Sequence, residues 1–121
     1  MKNILIVEDS TTYLNLLCEV LKNKGYKVKG ASSVKSALEE IKKDTYDFIC
    51  TDYNLPDDTG VVLLQHEHTQ NIPICIMTAS MDRHLSEMVK LLGAVECFDK
   101  SEFDFLDNLC NCIENNKYIT E

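Results

Sequence analysis

The chain has 121 residues, with 20 acidic against 12 basic side chains and a formal net charge of −8. That length suits one domain with a single core, able to fold without a disulfide or a metal, and a chain this acidic, with Arg83 as its one arginine, makes a poor nucleic-acid binder. No apolar run approaches the roughly 20 residues of a membrane span, and Met1-Lys2-Asn3 leads straight into a strand pattern, so neither a membrane segment nor a signal peptide is expected.

Six cysteines, Cys18, Cys50, Cys75, Cys97, Cys110 and Cys112, form no CxxC pair, and most sit in apolar runs. They read as small hydrophobes in a reducing cytoplasm, with no disulfides. His66 and His68 stand two apart in an expected helix, so they do not share a face and read as surface residues.

Ile4-Leu5-Ile6-Val7 is a continuous β-favouring run, expected as a central parallel strand ending at Glu8-Asp9. Ser10 or Thr11 caps a helix with Tyr13, Leu16, Leu17, Val20 and Leu21 on its apolar stripe, and Gly25 stops it. Tyr26 to Ala31 is a second strand whose Lys27 and Lys29 alternate with Tyr26 and Val28, the mark of a wet face and an edge position. Ser32 or Ser33 caps a second helix carrying Val34, Ala37, Leu38 and Ile41 at helical spacing, closed by Lys42-Lys43-Asp44. Phe48-Ile49-Cys50 is the apolar run of a third, buried strand that ends at Asp52 and gives way to the turn formers Leu55-Pro56-Asp57-Asp58-Thr59-Gly60.

Val61 to His68 is expected as a shorter third helix, broken at Asn71-Ile72-Pro73. Ile74-Cys75-Ile76-Met77 is a fourth strand, ending at Thr78-Ala79-Ser80; a fourth helix with Leu85, Met88, Val89 and Leu92 stops at Gly93. Val95 to Phe98 is a short fifth strand, ending at Asp99-Lys100. Ser101 and Asp104 are placed as a capping box for a last helix with Phe103, Leu106, Cys110 and Ile113 inward, and Asn115 to Glu121 is a polar tail. Strand and helix alternate five times without repeat or linker, which predicts one α/β domain over 1–121, a parallel sheet with helices on both faces.

Four apolar strands end in a residue with chemical potential: Glu8 and Asp9, Asp52, Thr78, and Lys100. In a parallel sheet these ends share one edge, where open α/β folds place ligands. Two like unit charges about 4 Å apart repel by roughly 4 kcal/mol at an effective dielectric near 20. Lys100 offsets one charge, so a hard divalent cation with oxygen ligands is expected among the carboxylates. Acids, Mg²⁺, a hydroxyl and a lysine together suit a phosphoryl group attacked by a carboxylate.

On these residues the chain resembles a response-regulator receiver domain of the two-component type, similar to the chemotaxis single-domain regulator, over about residues 2 to 116. The motifs are Glu8-Asp9, Asp52 followed by Asn54-Leu55-Pro56 and Gly60, Thr78-Ala79, and Lys100. The resemblance implies a flavodoxin-like doubly wound (βα)5 fold with strand order 2-1-3-4-5. It implies a signalling domain, not an enzyme, in which Asp52 takes a phosphoryl group from a histidine kinase or histidine phosphotransfer protein. Asp9, Asp52 and the Asn54 carbonyl would ligate Mg²⁺ or Mn²⁺, with Glu8 acting through a bound water. Thr78 would bond the phosphoryl group, Lys100 would pair with it, and Ala79 is the small residue the family needs beside it. Asn54 and Ser80 match the positions that tune dephosphorylation. The readout toward an unidentified output protein is expected on the fourth helix, fifth strand and fifth helix, with Asp82, Arg83, Glu87, Lys90, Glu96 and Asp107 exposed there.

Two departures stand out. Cys97 occupies the position of an aromatic switch residue, with Phe98 beside it, so the signal is expected to run through repacking of the loop after Thr78. Ser101 replaces the proline that usually follows the lysine, which leaves a trans or a strained cis Lys100–Ser101 bond open. A flavodoxin-type carrier would want a Ser/Thr/Gly-rich loop where Glu8-Asp9 stands. A dehalogenase-type phosphatase would want Asp-x-Asp where Asp9-Ser10-Thr11 stands, and Arg83 is at the wrong spacing for a Cys-x5-Arg phosphatase. The remaining rival is a receiver-like module that binds proteins without phosphorylation.

Overall fold

The computed structural model describes residues 2–115; Met1 and residues 116–121, which hold most of the expected polar tail, lie outside the described residues. The elements run β1 (Asn3–Val7), α1 (Thr11–Asn23), β2 (Lys27–Ala31), α2 (Val34–Lys43), β3 (Phe48–Asp52), α3 (Val61–Leu64), β4 (Ile74–Thr78), α4 (Arg83–Leu91), β5 (Glu96–Asp99) and α5 (Phe105–Glu114), with a 3-10 turn at Glu67–Thr69. All five strands are parallel and ordered β2-β1-β3-β4-β5, as expected.

Alternation along the strands divides the core in two. Leu5, Val7, Ile49 and Ile76 point to one face and pack with Val34, Ala37 and Ile41 of α2, Leu63 and Leu64 of α3, and Val89 of α4. Ile4, Ile6, Phe48, Cys50, Cys75 and Met77 point to the other and pack with Leu17 and Leu21 of α1 and Phe105, Leu109, Cys110 and Ile113 of α5. Each fully buried aliphatic side chain contributes about 1.5–3 kcal/mol, which is why β1, β3 and β4, buried on both faces, form the floor of the sheet. The order reverses at β1: the chain leaves it toward β2 and returns to β3, opening the crevice that such a reversal creates. β2 is an edge with Lys27 and Lys29 exposed, as the alternation predicts.

Several local expectations are corrected. The third helix ends at Leu64, not His68, because His66 adopts extended backbone and its Nδ1 accepts from the His68 amide. The Thr69 hydroxyl meanwhile donates back to the Leu63 carbonyl, closing the helix end from outside. The two imidazoles are therefore not on opposite faces: their centroids lie 5.1 Å apart. The Ser101/Asp104 box does not form: Asp104 makes no side-chain cap, and the Ser101 hydroxyl donates to Asp99 at 2.6 Å. α5 thus starts at Phe105, which is buried, while Phe103 is fully exposed instead of inward. Leu16 and Met88, placed on apolar stripes, are also exposed. No peptide bond among the described residues is cis, so Lys100–Ser101 is trans, and all six cysteines are free.

Candidate functional site

The carboxyl edge of the sheet gathers the residues that end its strands. The Glu8 amide donates to the Ala31 carbonyl at 2.9 Å, extending the β1 ladder one residue; this buries Glu8, 1% exposed. Its Oε2 accepts from the Ser10 amide at 3.1 Å and its Oε1 from Lys100 Nζ at 2.7 Å. Asp9 turns outward and is exposed. Asp52, the last residue of β3, is 7% exposed, and its Oδ2 accepts from Lys100 Nζ at 3.3 Å. Lys100 is carried there because its own amide donates to the Thr78 carbonyl at 2.8 Å, continuing the β4–β5 pairing past the end of the strand.

Glu8, Asp9 and Asp52 each offer one carboxylate oxygen within 4.8 Å of the others. Burial, and then the neighbouring Glu8 charge, push the Asp52 carboxyl up to about 6 from 3.8, against the opposing pull of Lys100. Burial alone would lower the Lys100 ammonium, but its bond to Glu8 and the charges of Asp52 and Glu8 hold it above its ordinary value. Three carboxylates face one ammonium, and the donors are all oxygen. That set fits a hard divalent cation, which would relieve the repulsion that now raises Asp52.

The loop after Asp52 is shaped by Gly60. A Cβ there would lie 2.3 Å from the Asp52 carbonyl oxygen and 2.9 Å from Thr51 Oγ1, so only glycine allows the chain to fold back so closely. Asn54 bridges Thr59 across this loop and is exposed at its rim. Thr78 is buried, and its hydroxyl is bonded to Ser80: it accepts from the Ser80 amide at 3.3 Å and donates to the Ser80 carbonyl at 3.4 Å, both long bonds. Ala79 and Ser80 are exposed. An open cleft of about 470 Å³ runs from Asn54 past Thr78 and Ser80 to the start of α4. Cys97 is buried in the core on the α4 face. Phe98 points to the opposite face, edge-on to Phe105 with centroids 6.5 Å apart, so it does not replace the missing aromatic.

Two residues near the site escaped the sequence pattern. Asp57 reaches from the β3–α3 loop to the start of α2, accepting from the Val34 and Lys35 amides at 3.0 and 2.9 Å. Tyr13 lies with its ring centroid 4.5 Å from Lys100 Nζ. Helix-cap chemistry could have suggested the first, but not its partner 23 residues away; the second was absorbed into the apolar stripe of α1.

Comparison with known proteins agrees with this geometry. Residues 4–113 match the family model of the response regulator receiver domain. The chain is 30% identical to the transcriptional regulatory protein ZraR of Escherichia coli over 93% of its own length and 25% of that protein. It is 32% identical to the chemotaxis protein CheY-3 of Vibrio cholerae over 66% of its length and 65% of the relative. It spans 17% of the Arabidopsis two-component response regulator ARR11, so among these relatives the shared part is a fraction of longer chains. Among solved structures, a putative response regulator from Chloroflexus aurantiacus is 31% identical with a TM-score of 0.80, covering 93% of this chain and 96% of that one. The HemR receiver domain of Leptospira biflexa, at 24% identity, shares the fold over the whole chain with a TM-score of 0.85. On its sequence, its strand order and its strand-end residues, the chain belongs to the response regulator receiver domain family.

Proposed function

We propose that residues 1–121 form a phosphoacceptor signalling domain in which Asp52 takes a phosphoryl group from a histidine kinase or a histidine phosphotransfer protein. The observation that carries this reading is the Lys100 ammonium held between Glu8 and Asp52 at the carboxyl edge of the sheet. At neutral pH Asp52 is ionised even with its raised carboxyl, so a carboxylate oxygen is available to attack phosphorus. The donor's phosphorus–nitrogen bond breaks with its electron pair leaving on the imidazole, and an Asp52 oxygen–phosphorus bond forms. Glu8, Asp9, Asp52 and the Asn54 carbonyl would hold Mg²⁺, which supplies positive charge against the phosphoryl oxygens. Lys100 pairs with one of those oxygens; Ala79, lacking bulk, leaves room for them.

Thr78 is the mobile part. Its two long bonds to Ser80 are weak enough to be exchanged for one to a phosphoryl oxygen, and doing so frees both backbone groups of Ser80. The loop into α4 repacks, and α4, β5 and α5 present the change to an output protein through Asp82, Arg83, Glu87, Lys90, Glu96 and Asp107. With Cys97 in the core, this route needs no swinging ring. Asn54 and Ser80, at the rim of the cleft, set how readily water reaches the acyl phosphate. The setting is cytoplasmic, where kinases and phosphotransfer partners are met.

Incubation with phosphoramidate and Mg²⁺, followed by intact mass, tests the proposal. A labile phosphoryl adduct on the wild type, absent without Mg²⁺ and in Asp52→Asn, is the expected result. No adduct and no beryllofluoride binding would overturn it in favour of a module that binds proteins without phosphorylation.

A further inference from the structure

Lysine is a flexible four-carbon stem with a point charge, and ordering it costs rotamer freedom. In this site two carboxylates hold the Lys100 ammonium from the side of the sheet, through Glu8 at 2.7 Å and Asp52 at 3.3 Å. The Tyr13 ring, 4.5 Å from Nζ, meets it from the side of α1, well inside the range of an ammonium–ring attraction. The start of α1 is built to put the ring there. Glu8 Oε2 fixes the Ser10 amide; Ser10 Oγ accepts from the Tyr13 amide at 3.4 Å and caps the helix; Glu8 Oε1 takes Lys100. Glu8, Ser10, Tyr13 and Lys100 thus close a ring of contacts.

The ring is not spent on the core. Leu14 and Leu17, its neighbours on α1, pack into the apolar cluster of the α1–α5 face, whereas Tyr13 belongs to neither cluster. Among the described residues its hydroxyl makes no direct hydrogen bond that would give it another structural purpose. We propose that Tyr13 is a positioning residue that acts through Lys100, holding the ammonium over Asp52 for an incoming phosphoryl group. The inference rests on the reading of Asp52 as acceptor. An ammonium–ring contact lacks the sharp directionality of a hydrogen bond. Lys100 can therefore slide from Glu8 toward a phosphoryl oxygen without losing the ring, where a third hydrogen-bond acceptor would tether it.

The test combines NMR of the Lys100 side chain with phosphorylation by phosphoramidate and Mg²⁺. A ring this close displaces the Lys100 ε-methylene protons upfield in wild type and in Tyr13→Phe, and the displacement is lost in Tyr13→Leu. Tyr13→Phe phosphorylates within about twofold of wild type, and Tyr13→Leu about fivefold more slowly, as expected for a contact worth about 1 kcal/mol. Unshifted wild-type protons, an unchanged rate in Tyr13→Leu, or an equal loss in Tyr13→Phe would each overturn the proposal; the first needs no variant to fold. A wild type that refuses phosphoryl transfer while the upfield shift persists overturns the reading of Asp52 and not the hold of the ring on Lys100.

Discussion

Replacing Asp52 by Asn should stabilise the protein at neutral pH in EDTA. The Asp52 carboxyl is raised from 3.8 to about 6, first by burial and then by Glu8. Between about pH 4 and pH 6 the folded chain therefore holds a proton that the unfolded chain has released. Wild-type stability falls as pH rises through that window, the reverse of the usual salt-bridged aspartate. That rise corresponds to about 3 kcal/mol above pH 6. An amide mimics the protonated acid imperfectly against Lys100 Nζ at 3.3 Å, so a gain of about 1–2 kcal/mol is expected, or roughly 3–8 °C in Tm for a domain of this size. Thermal melts by circular dichroism from pH 4 to pH 8 measure it. The gain of Asp52→Asn over wild type should be full at pH 7.5, shrink as pH falls through 6, and turn into a loss near pH 4, where folded wild-type Asp52 is protonated and the amide is the poorer partner. An Asn variant less stable than wild type at pH 7.5, or a difference that ignores pH, would refute the electrostatic argument.

Adding Mg²⁺ should raise the wild-type Tm, by about 2.7 kcal/mol of stabilisation at a hundredfold excess over Kd, and Asp9→Asn should lose the effect while still folding, since Asp9 is exposed. Gly60→Ala should cost at least about 2 kcal/mol in urea unfolding, because its Cβ meets backbone 2.3 Å away that cannot step aside. Tyr46 is pushed up to about 12, by burial first and then by Glu40. The unfolded tyrosine ionises near pH 10 while the folded one stays neutral, so stability falls from about pH 10 toward pH 12, and Tyr46→Phe should flatten that fall in alkaline melts. A thiol reagent at pH 8 should reach half-buried Cys18 first; Cys112, pushed to about 12 by burial, follows slowly, and Cys50, Cys75, Cys97 and Cys110 react only in denaturant.

The sheet was legible because its three central strands are short apolar runs closed by polar residues, and each of those residues falls at the carboxyl edge. Glu8, Asp9, Asp52, Thr78 and Lys100 could be placed together without knowing a single side-chain contact. What escaped was decided by individual side-chain contacts, most of them local, that a spacing pattern does not carry. Val61 to His68 has helical composition, and only the Thr69–Leu63 bond and the extended His66 show why the helix stops at Leu64. Phe103 and Phe105 are equally apolar; which one is buried depends on where α5 begins, and Asp99 decides that locally by taking the Ser101 amide and hydroxyl. Tyr13 fitted an amphipathic stripe, and a spacing pattern cannot distinguish a ring that packs on leucine from one that packs on an ammonium.

Lys100 meets Glu8 across 92 residues of chain and Asp52 across 48. A ribosome that has delivered the first 99 residues has made all three carboxylates and no ammonium to balance them. On the reading of Asp52 as acceptor, the site is therefore incomplete until β5 pairs with β4. β5 is also an edge strand of only four residues, paired on one side. Were its end to open, Lys100 would leave with it and the Glu8 and Asp52 contacts would be lost while β1, β3 and β4 stay paired. On the reading of Asp52 as acceptor, hydrogen exchange at the Lys100 amide would then measure how often the site is incomplete.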